Sequence, residues 1–225
     1  MSSNYAEKLK HPVFKVVSQY ATEHGLDAYV IGGFVRDLVM ERPSKDIDIL
    51  VLGDGPEFAE AVAKILRVKK VSVFKNFGTA HFRYKDLDVE FVGARKESYS
   101  RDSRKPITEK GTLQDDQNRR DFTINTLALK LNTASFGELV DPFGGVEDIE
   151  KGIIRTPLEP EITFSDDPLR MLRAIRFATR FDARLDNPTQ NYNFKNREIL
   201  MLLTRIIRLV FITLLMGLAI FPLPS

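Results

Sequence analysis

Two aspartates, Asp46 and Asp48, stand two apart in a run whose neighbours Ile47, Ile49, Leu50 and Val51 are apolar. In an extended strand this spacing puts both carboxylates on one face and turns Ile47 and Ile49 towards a core. Like charges held that close call for a cation. Hard divalent ions such as Mg²⁺ take oxygen ligands and share them with substrate phosphates. A solvated acidic pair at a strand end satisfies the same pattern, so the neighbours have to decide. Upstream, Gly32 and Gly33 separate a short apolar run from a helical one. Missing side chains there let a phosphate approach backbone N–H groups and the positive end of a helix, and Arg36, one turn in, would add charge. A tight turn is the plainer reading of two glycines. A third carboxylate lies in the run 87–94, where Leu87, Val89 and Phe91 alternate with Asp88, Glu90 and Val92. If that strand lies beside the first, Glu90 or Asp88 completes a ligand set for two metals, the arrangement used for in-line displacement at phosphorus. A half-exposed strand edge accounts for the alternation without any chemistry.

These residues need elements to hold them. Residues 11–24 read as an amphipathic helix through Val13, Val16, Val17 and Tyr20. Strands are expected at 28–31 and 46–52, and helices at 34–40 and 57–66. Further strands follow at 71–75, 79–84 and 87–94, with a hairpin turn at Lys85-Asp86. From Arg95 to Asn118 hydrophobic periodicity disappears, and the segment reads as a long mobile loop. A helix over 119–131, short strands at 138–140 and 153–155, and a helix over 165–181 complete the pattern. Ser165 is its expected cap, with Asp166 and Asp167 at its positive end and Pro168 in its first turn. The expected class is α/β (α+β), a small mixed-sheet domain followed by the start of something helical.

Composition narrows the chemistry. The 225 residues, 43% of them apolar, suffice for a real core, and the absence of cysteine excludes disulfides, thiolate metal sites and a cysteine nucleophile. A formal net charge of +2 announces no partner through the overall field. Two stretches are locally basic: Arg95, Lys96, Arg101, Arg104, Lys105 and Lys110, and then Arg170, Arg173, Arg176, Arg180 and Arg184. Either can be a solvated face. The first 25 residues lack the apolar run and cleavage site of a secretory signal, which leads to the expectation of a cytoplasmic protein. His11, His24 and His81 show no ligand spacing.

Taken in order, five segments are recognisable together: Gly32-Gly33-Phe34-Val35-Arg36-Asp37, Asp46-Ile47-Asp48, Arg119-Arg120-Asp121-Phe122-Thr123-Ile124-Asn125, Asp141-Pro142-Phe143-Gly144-Gly145, and Asp166-Asp167-Pro168-Leu169-Arg170-Met171-Leu172-Arg173. Together they resemble the class II tRNA nucleotidyltransferase and poly(A) polymerase family. The resemblance implies a polymerase-β-like nucleotidyltransferase head over about residues 1–150 and the start of a helical neck over 151–185. By resemblance, Gly32, Gly33 and Arg36 bind the nucleotide triphosphate, and Asp46, Asp48 and Glu90 hold Mg²⁺ and serve catalysis. Arg120, Asp121 and Asn125 contact the nucleotide, Asp121 through the ribose 2′-OH. Asp167 and Arg170 read the incoming base, and Arg173 adds a further contact. A carboxylate and a guanidinium on one helix edge offer acceptors and donors in fixed directions, as a base edge requires. A capped helix with a solvated basic stripe has the same residues, with Met171, Leu172, Ile175 and Ala178 as the opposite, apolar face. The segment 96–118 takes the place of the family's flexible loop.

The resemblance thins after about Arg184. Residues 186–225 are unassigned, and the apolar stretch from Ile199 has a charge-free run after Arg208 shorter than the roughly 20 residues of a membrane span. A neck-like helix, a membrane-associating tail and a truncated or frame-shifted end are the three readings, the last favoured because an exposed apolar segment invites aggregation. No membrane partner is expected. The implied function is CCA addition to tRNA 3′ ends from CTP and ATP, with release of pyrophosphate. The alternatives are a poly(A) polymerase of the same class, an inactive nucleotide-binding head, and transfer to a small molecule.

Overall fold

A computed structural model of the protein describes residues 4–98, 107–199, 201, 204 and 205. The chain divides into two compact units, Met1–Lys151 and Gly152–Ser225.

The first unit opens with α1 (Pro12–Glu23), β1 (Ala28–Ile31), α2 (Gly33–Val39), β2 (Asp46–Val51) and α3 (Gly55–Ile65). It continues through β3 (Ser72–Phe74), β4 (Thr79–Tyr84), β5 (Leu87–Gly93), β6 (Arg95–Ser98), β7 (Ile107–Lys110) and α4 (Leu113–Asn118). It closes with β8 (Ala128–Lys130), β9 (Leu139–Val140) and α5 (Gly145–Lys151). Seven strands form one mixed sheet in the order β3-β4-β5-β2-β1-β8-β9. Only β2 and β5 run parallel within it; the other pairs are antiparallel. The mixed sheet is the one expected from the sequence.

Alternation decides which face is dry. Ile47, Ile49, Val89, Phe91 and Phe82 enter the main core with Val13, Phe14 and Val17 of α1 and Phe58 of α3. Burying one such side chain contributes about 1.5–3 kcal/mol. Phe91 lies 5.4 Å from Phe82 and 5.8 Å from Phe58 between ring centroids. The opposite face carries a smaller cluster of Ile31, Leu50, Ala94 and Ala128, partly covered by Leu113 of α4. That second face is also the one from which Asp46 and Asp48 project.

Two sequence expectations in this unit need correction. The segment 95–118 is not one loop: β6 and β7 pair as an antiparallel hairpin, and α4 follows. The stretch 99–106 of the expected flexible loop, with Arg101, Arg104 and Lys105, lies outside the described residues. Hydrophobic periodicity misses α4 because what this helix buries is polar, Asp116 and Gln117. Its start is nonetheless written in the sequence as a capping box, in which the Thr112 hydroxyl and backbone bond with Asp115. Nor is 119–131 a helix. α4 stops at Asn118, Phe122 is extended, Thr123–Asn125 is a single 3-10 turn, and β8 begins at Ala128. Side chains take over the backbone's bonding here: Asp121 accepts from the Phe122 N–H at 2.9 Å, and Gln117 donates to the Thr126 carbonyl at 2.8 Å.

The second unit contains β10 (Ile153–Ile154), α6 (Pro160–Asp166), α7 (Leu169–Phe181), β11 (Arg184–Leu185) and α8 (Asn187–Lys195), with β10 and β11 paired in parallel. The expected single helix 165–181 is two helices. Asp167 is extended (φ −150°, ψ 101°), as a residue before proline prefers, and Pro168 is the N-cap of the next helix. Ser165 therefore caps nothing; its hydroxyl donates to the Ile162 carbonyl within α6. The buried stripe of α7 is Met171, Ala174 and Phe177, while Ile175, expected on the apolar face, is exposed. Among the described residues no helix is long and apolar enough to cross a membrane. The apolar tail after Arg205 lies outside the described residues.

Candidate nucleotide site

The parallel pairing of β2 with β5 sets Asp46 opposite Asp88 and Asp48 opposite Glu90. Directly paired residues share a face, so all four acidic side chains stand on the side away from the main core. Sequence left Glu90 and Asp88 as alternatives for the third ligand. Asp88 has a partner of its own, the Nε2 of His81 at 3.3 Å, whereas Glu90 is the residue in register with Asp48. Burial pushes the Asp48 carboxyl above its ordinary value; the Arg120 charge pulls it back, and Glu90, Asp46 and Asp116 push it up further. A buried carboxylate among like charges is a group that a hard cation would relieve, and its donor set is oxygen only. Among the described residues no three His, Asp or Glu side chains are already drawn together as a metal cluster.

The turn between β1 and α2 meets this row. Gly32 follows Ile31, which pairs with Asp48, and its N–H donates to the Leu127 carbonyl at 3.0 Å. Its backbone (φ 70°, ψ −133°) is one that side chains rarely adopt, and an added Cβ would stand 2.6 Å from Arg120 Nη1 and 3.7 Å from Asp48 Oδ2. Glycine is thus required twice over at Gly32, by conformation and by space. Gly33 is less constrained; a Cβ there would make an ordinary contact of 3.5 Å with Arg36 Nη2.

Arg36 is 6% exposed. Its Nε donates to Asp37 Oδ1 at 2.9 Å, its Nη2 lies 2.8 Å from the same oxygen, and its Nη1 donates to Asn125 Oδ1 at 2.6 Å. Asn125 in turn donates through Nδ2 to Asp121 Oδ1 at 2.8 Å. Four residues from two distant segments therefore form one chain of charge-assisted bonds. The turn bearing Asn125 is backed by α5: Thr123 donates to the buried Asp148 at 2.6 Å, and a Cβ on Gly145 would collide with the Thr123 carbonyl. Asp141 caps α5 by accepting from the N–H groups of Gly145 and Val146 at 2.7 and 3.0 Å. The segment Asp141–Gly145 is thus a device for docking a helix against the site's turn.

Asp37, Asp116 and Asp148 carry no role in the sequence reading, yet each closes a bond in this network. One signal was available, because Asp116 precedes Arg119 and Arg120 by three and four residues, the spacing of helical ion pairs. In the structure both arginines pair with Asp116, Arg120 Nε at 2.8 Å from Oδ2. Arg120 Nη1 also donates to the Asn125 carbonyl at 3.1 Å.

The remaining residues singled out from sequence are in the second unit. Asp167 Oδ1 accepts from the Leu169 N–H at 3.0 Å, and Arg170 Nη1 donates to the Thr163 carbonyl at 3.0 Å, which ties α7 to α6. Arg173 lies 5.3 Å over the Phe177 ring and Arg176 5.2 Å over the same ring.

The chain is similar to known proteins in sequence and in fold. Residues 28–155 match the family described as the poly(A) polymerase head domain. An A-adding tRNA nucleotidyltransferase of Aquifex aeolicus is 41% identical over 165 residues, covering 73% of this chain and 20% of the relative. A CCA-adding enzyme of Geobacillus sp. is 36% identical over 196 residues, covering 85% of this chain and 46% of the relative. A solved tRNA nucleotidyltransferase in complex with a primer tRNA and an incoming ATP analog is 39% identical, with a TM-score of 0.70 over 78% of this chain and 48% of that one. The chain thus spans less than half the length of each.

Proposed function

The chain belongs to the poly(A) polymerase head domain family, and from that premise we propose that it is the catalytic head of an RNA nucleotidyltransferase that extends tRNA 3′ ends from CTP and ATP. In the proposed reaction the RNA 3′-hydroxyl gives up its proton to solvent, its oxygen forms a bond to the α-phosphorus, the bond from that phosphorus to the bridging oxygen of the β-phosphate breaks, and pyrophosphate leaves. The observation that carries this reading is the meeting of Gly32, Asp48 and Arg120, which sets a bare turn, a carboxylate and a guanidinium within a few ångströms of one another.

Asp46, Asp48 and Glu90 are the residues that would hold Mg²⁺, which when bound supplies positive charge against the triphosphate and makes the 3′-hydroxyl easier to deprotonate. Gly32 and Gly33 leave room for the triphosphate, with Arg36 fixed behind them by Asp37 and Asn125. Arg120, Asp121 and Asn125 are assigned to the nucleotide, Asp121 to the ribose. Base reading by Asp167, Arg170 and Arg173 stands on the family resemblance. Residues 1–150 are proposed as the head and 151–185 as the start of the neck.

A second reading, addition of A alone, is favoured by the name of the 41% identical Aquifex aeolicus relative. Labelled CTP and ATP are offered with Mg²⁺ to tRNA lacking its 3′ end, using the chain and its Asp46→Ala and Asp48→Ala variants. Sequential C, C, A addition, lost in either variant, is the expected result. Incorporation of A only into tRNA already ending in CC selects the second reading. Absence of transfer by a folded chain overturns both.

A further inference from the structure

Resting on that reading, we propose that Asp116 is a positioning residue, which holds the Arg120 guanidinium across Gly32 and beside Asp48 so that Arg120 meets the nucleotide already oriented.

Asp116 is the fourth residue of a six-residue helix and is 1% exposed. Burying a carboxylate costs several kcal/mol unless its oxygens are fully engaged, and a small apolar residue would fill a helix face at no such cost. Its two oxygens are engaged by the two arginines that follow the helix, Oδ1 by Arg119 and Oδ2 by Arg120 Nε at 2.8 Å. The second of these bonds has a geometric consequence. A guanidinium held only through Nη1, by the Asn125 carbonyl at 3.1 Å, would keep freedom to swing about that bond. Held also through Nε, it is fixed at two points on its planar fork, and arginine's donors then take set directions.

The place where it is fixed matters. A Cβ on Gly32 would stand 2.6 Å from Nη1, so the guanidinium edge lies directly over the bare glycine of the turn. Arg120 is also the charge that favours the ionised form of Asp48 against the effect of burial. With Nε and Nη1 committed, Nη2 has no partner among the described residues and remains for an incoming anion. Asp116 itself has no route to a ligand, since it is buried; whatever it contributes passes through Arg120 or Arg119. It therefore spends its burial on orientation and not on contact.

A double-substitution cycle on the full chain tests this. ATP incorporation into tRNA ending in CC is measured, as kcat and KM separately, for the parent, Asp116→Asn, Arg120→Ala and the pair, with thermal unfolding of each. Asp116→Asn is expected to lower kcat/KM by about 10- to 100-fold, the range seen when a residue orienting a functional group is lost. In the Arg120→Ala background it is expected to cost less than about threefold more, because coupled residues are not additive. Multiplying effects, or an unchanged kcat/KM in folded Asp116→Asn, overturns the proposal and leaves the tRNA reading intact. If Asp116→Asn does not fold, Asp116→Glu, which keeps the charge and displaces it by one methylene, takes its place under the same criteria. Equilibrium dialysis with labelled ATP and Mg²⁺ separates the two layers of argument. A parent chain that binds ATP without transferring it sinks the tRNA reading, and the cycle is then scored on Kd. A folded parent that neither binds nor transfers sinks both.

Discussion

The charged residues of the two units are restrained in different ways. In the first, Arg36 and Arg120 are held at two or more points by carboxylates and carbonyls inside the protein. In the second, Arg176 and Arg180 lie over the rings of Phe177 and Phe181, and these stacking contacts set no hydrogen-bond direction. Arg170 donates to the Thr163 carbonyl and lies 4.0 Å from an Asp166 carboxylate oxygen. A triphosphate and a reacting hydroxyl must be placed to within a fraction of an ångström, whereas a surface arginine can serve by charge and reach alone. The difference teaches that spacing on a helix says which residues are basic and says little about which are aimed.

The sharpest break in this contrast comes from Asp48. Asp48→Asn is expected to lower transfer at least about 10³-fold, as loss of a central catalytic group does. The same variant should be more stable than the parent in metal-free buffer at neutral pH. Because burial and the neighbouring carboxylates raise the Asp48 pKa, the folded state holds this proton to higher pH than the unfolded state, whose ordinary value is 3.8. The group therefore favours folding at low pH, and that contribution is lost as pH rises through the raised pKa. The stability advantage of Asp48→Asn should accordingly shrink as pH falls through that range and disappear below 3.8. Melting curves of both proteins across pH decide it; a variant less stable at neutral pH refutes the assignment of burial as the dominant cause.

Gly32→Ala comes next. It forces a side chain into a left-handed backbone and against Arg120, so we expect a loss of about 1–3 kcal/mol of stability, read by urea unfolding. Transfer should fall by about 100-fold or more, as misplacement by an ångström can cause. Gly33→Ala, with only ordinary contacts, is the control that should keep most of the stability. If the two behave alike, the argument from φ and space at Gly32 is wrong.

In the second unit Arg170→Ala removes a bond that ties α7 to α6. Changes of about 10-fold in the ratio of ATP to CTP use are expected, within the range that a single lost base contact produces. Equal loss with both nucleotides would assign Arg170 to structure alone. Smallest of all, Arg176→Ala should change stability by no more than about 0.5 kcal/mol and transfer by less than about twofold, since an exposed stacked arginine contributes little.

The strands that carry the carboxylates were legible because Ile47, Ile49, Val89 and Phe91 repeat with a period of two. Legibility ended where the buried groups are polar. Asp116 and Gln117 give no apolar period, so α4 went unseen, and the Asp121 side-chain bonds that end a helix leave no trace in hydropathy. Arg36 shows a different limit. Its spacing from Gly32-Gly33 suggests a ligand contact, but one partner, Asn125, is 89 residues away, and nothing local announces a long-range bond. The break before Pro168 was open to reading, since a residue preceding proline disfavours the helical region; the alternative of proline in the first turn concealed it.

The strand order has a consequence for how the protein comes into being. β1, which leads into the Gly32 turn, lies between β2 and β8, and the Gly32 N–H is closed by Leu127, nearly a hundred residues later. Contacts so distant along the chain form late, because closing the loop precedes any reward from pairing. During synthesis, the carboxylates of β2 leave the ribosome long before the segment that fixes the turn beside them. Until β8 has been added, a nascent chain holds the acidic residues of β2 without the segment that closes the Gly32 turn beside them.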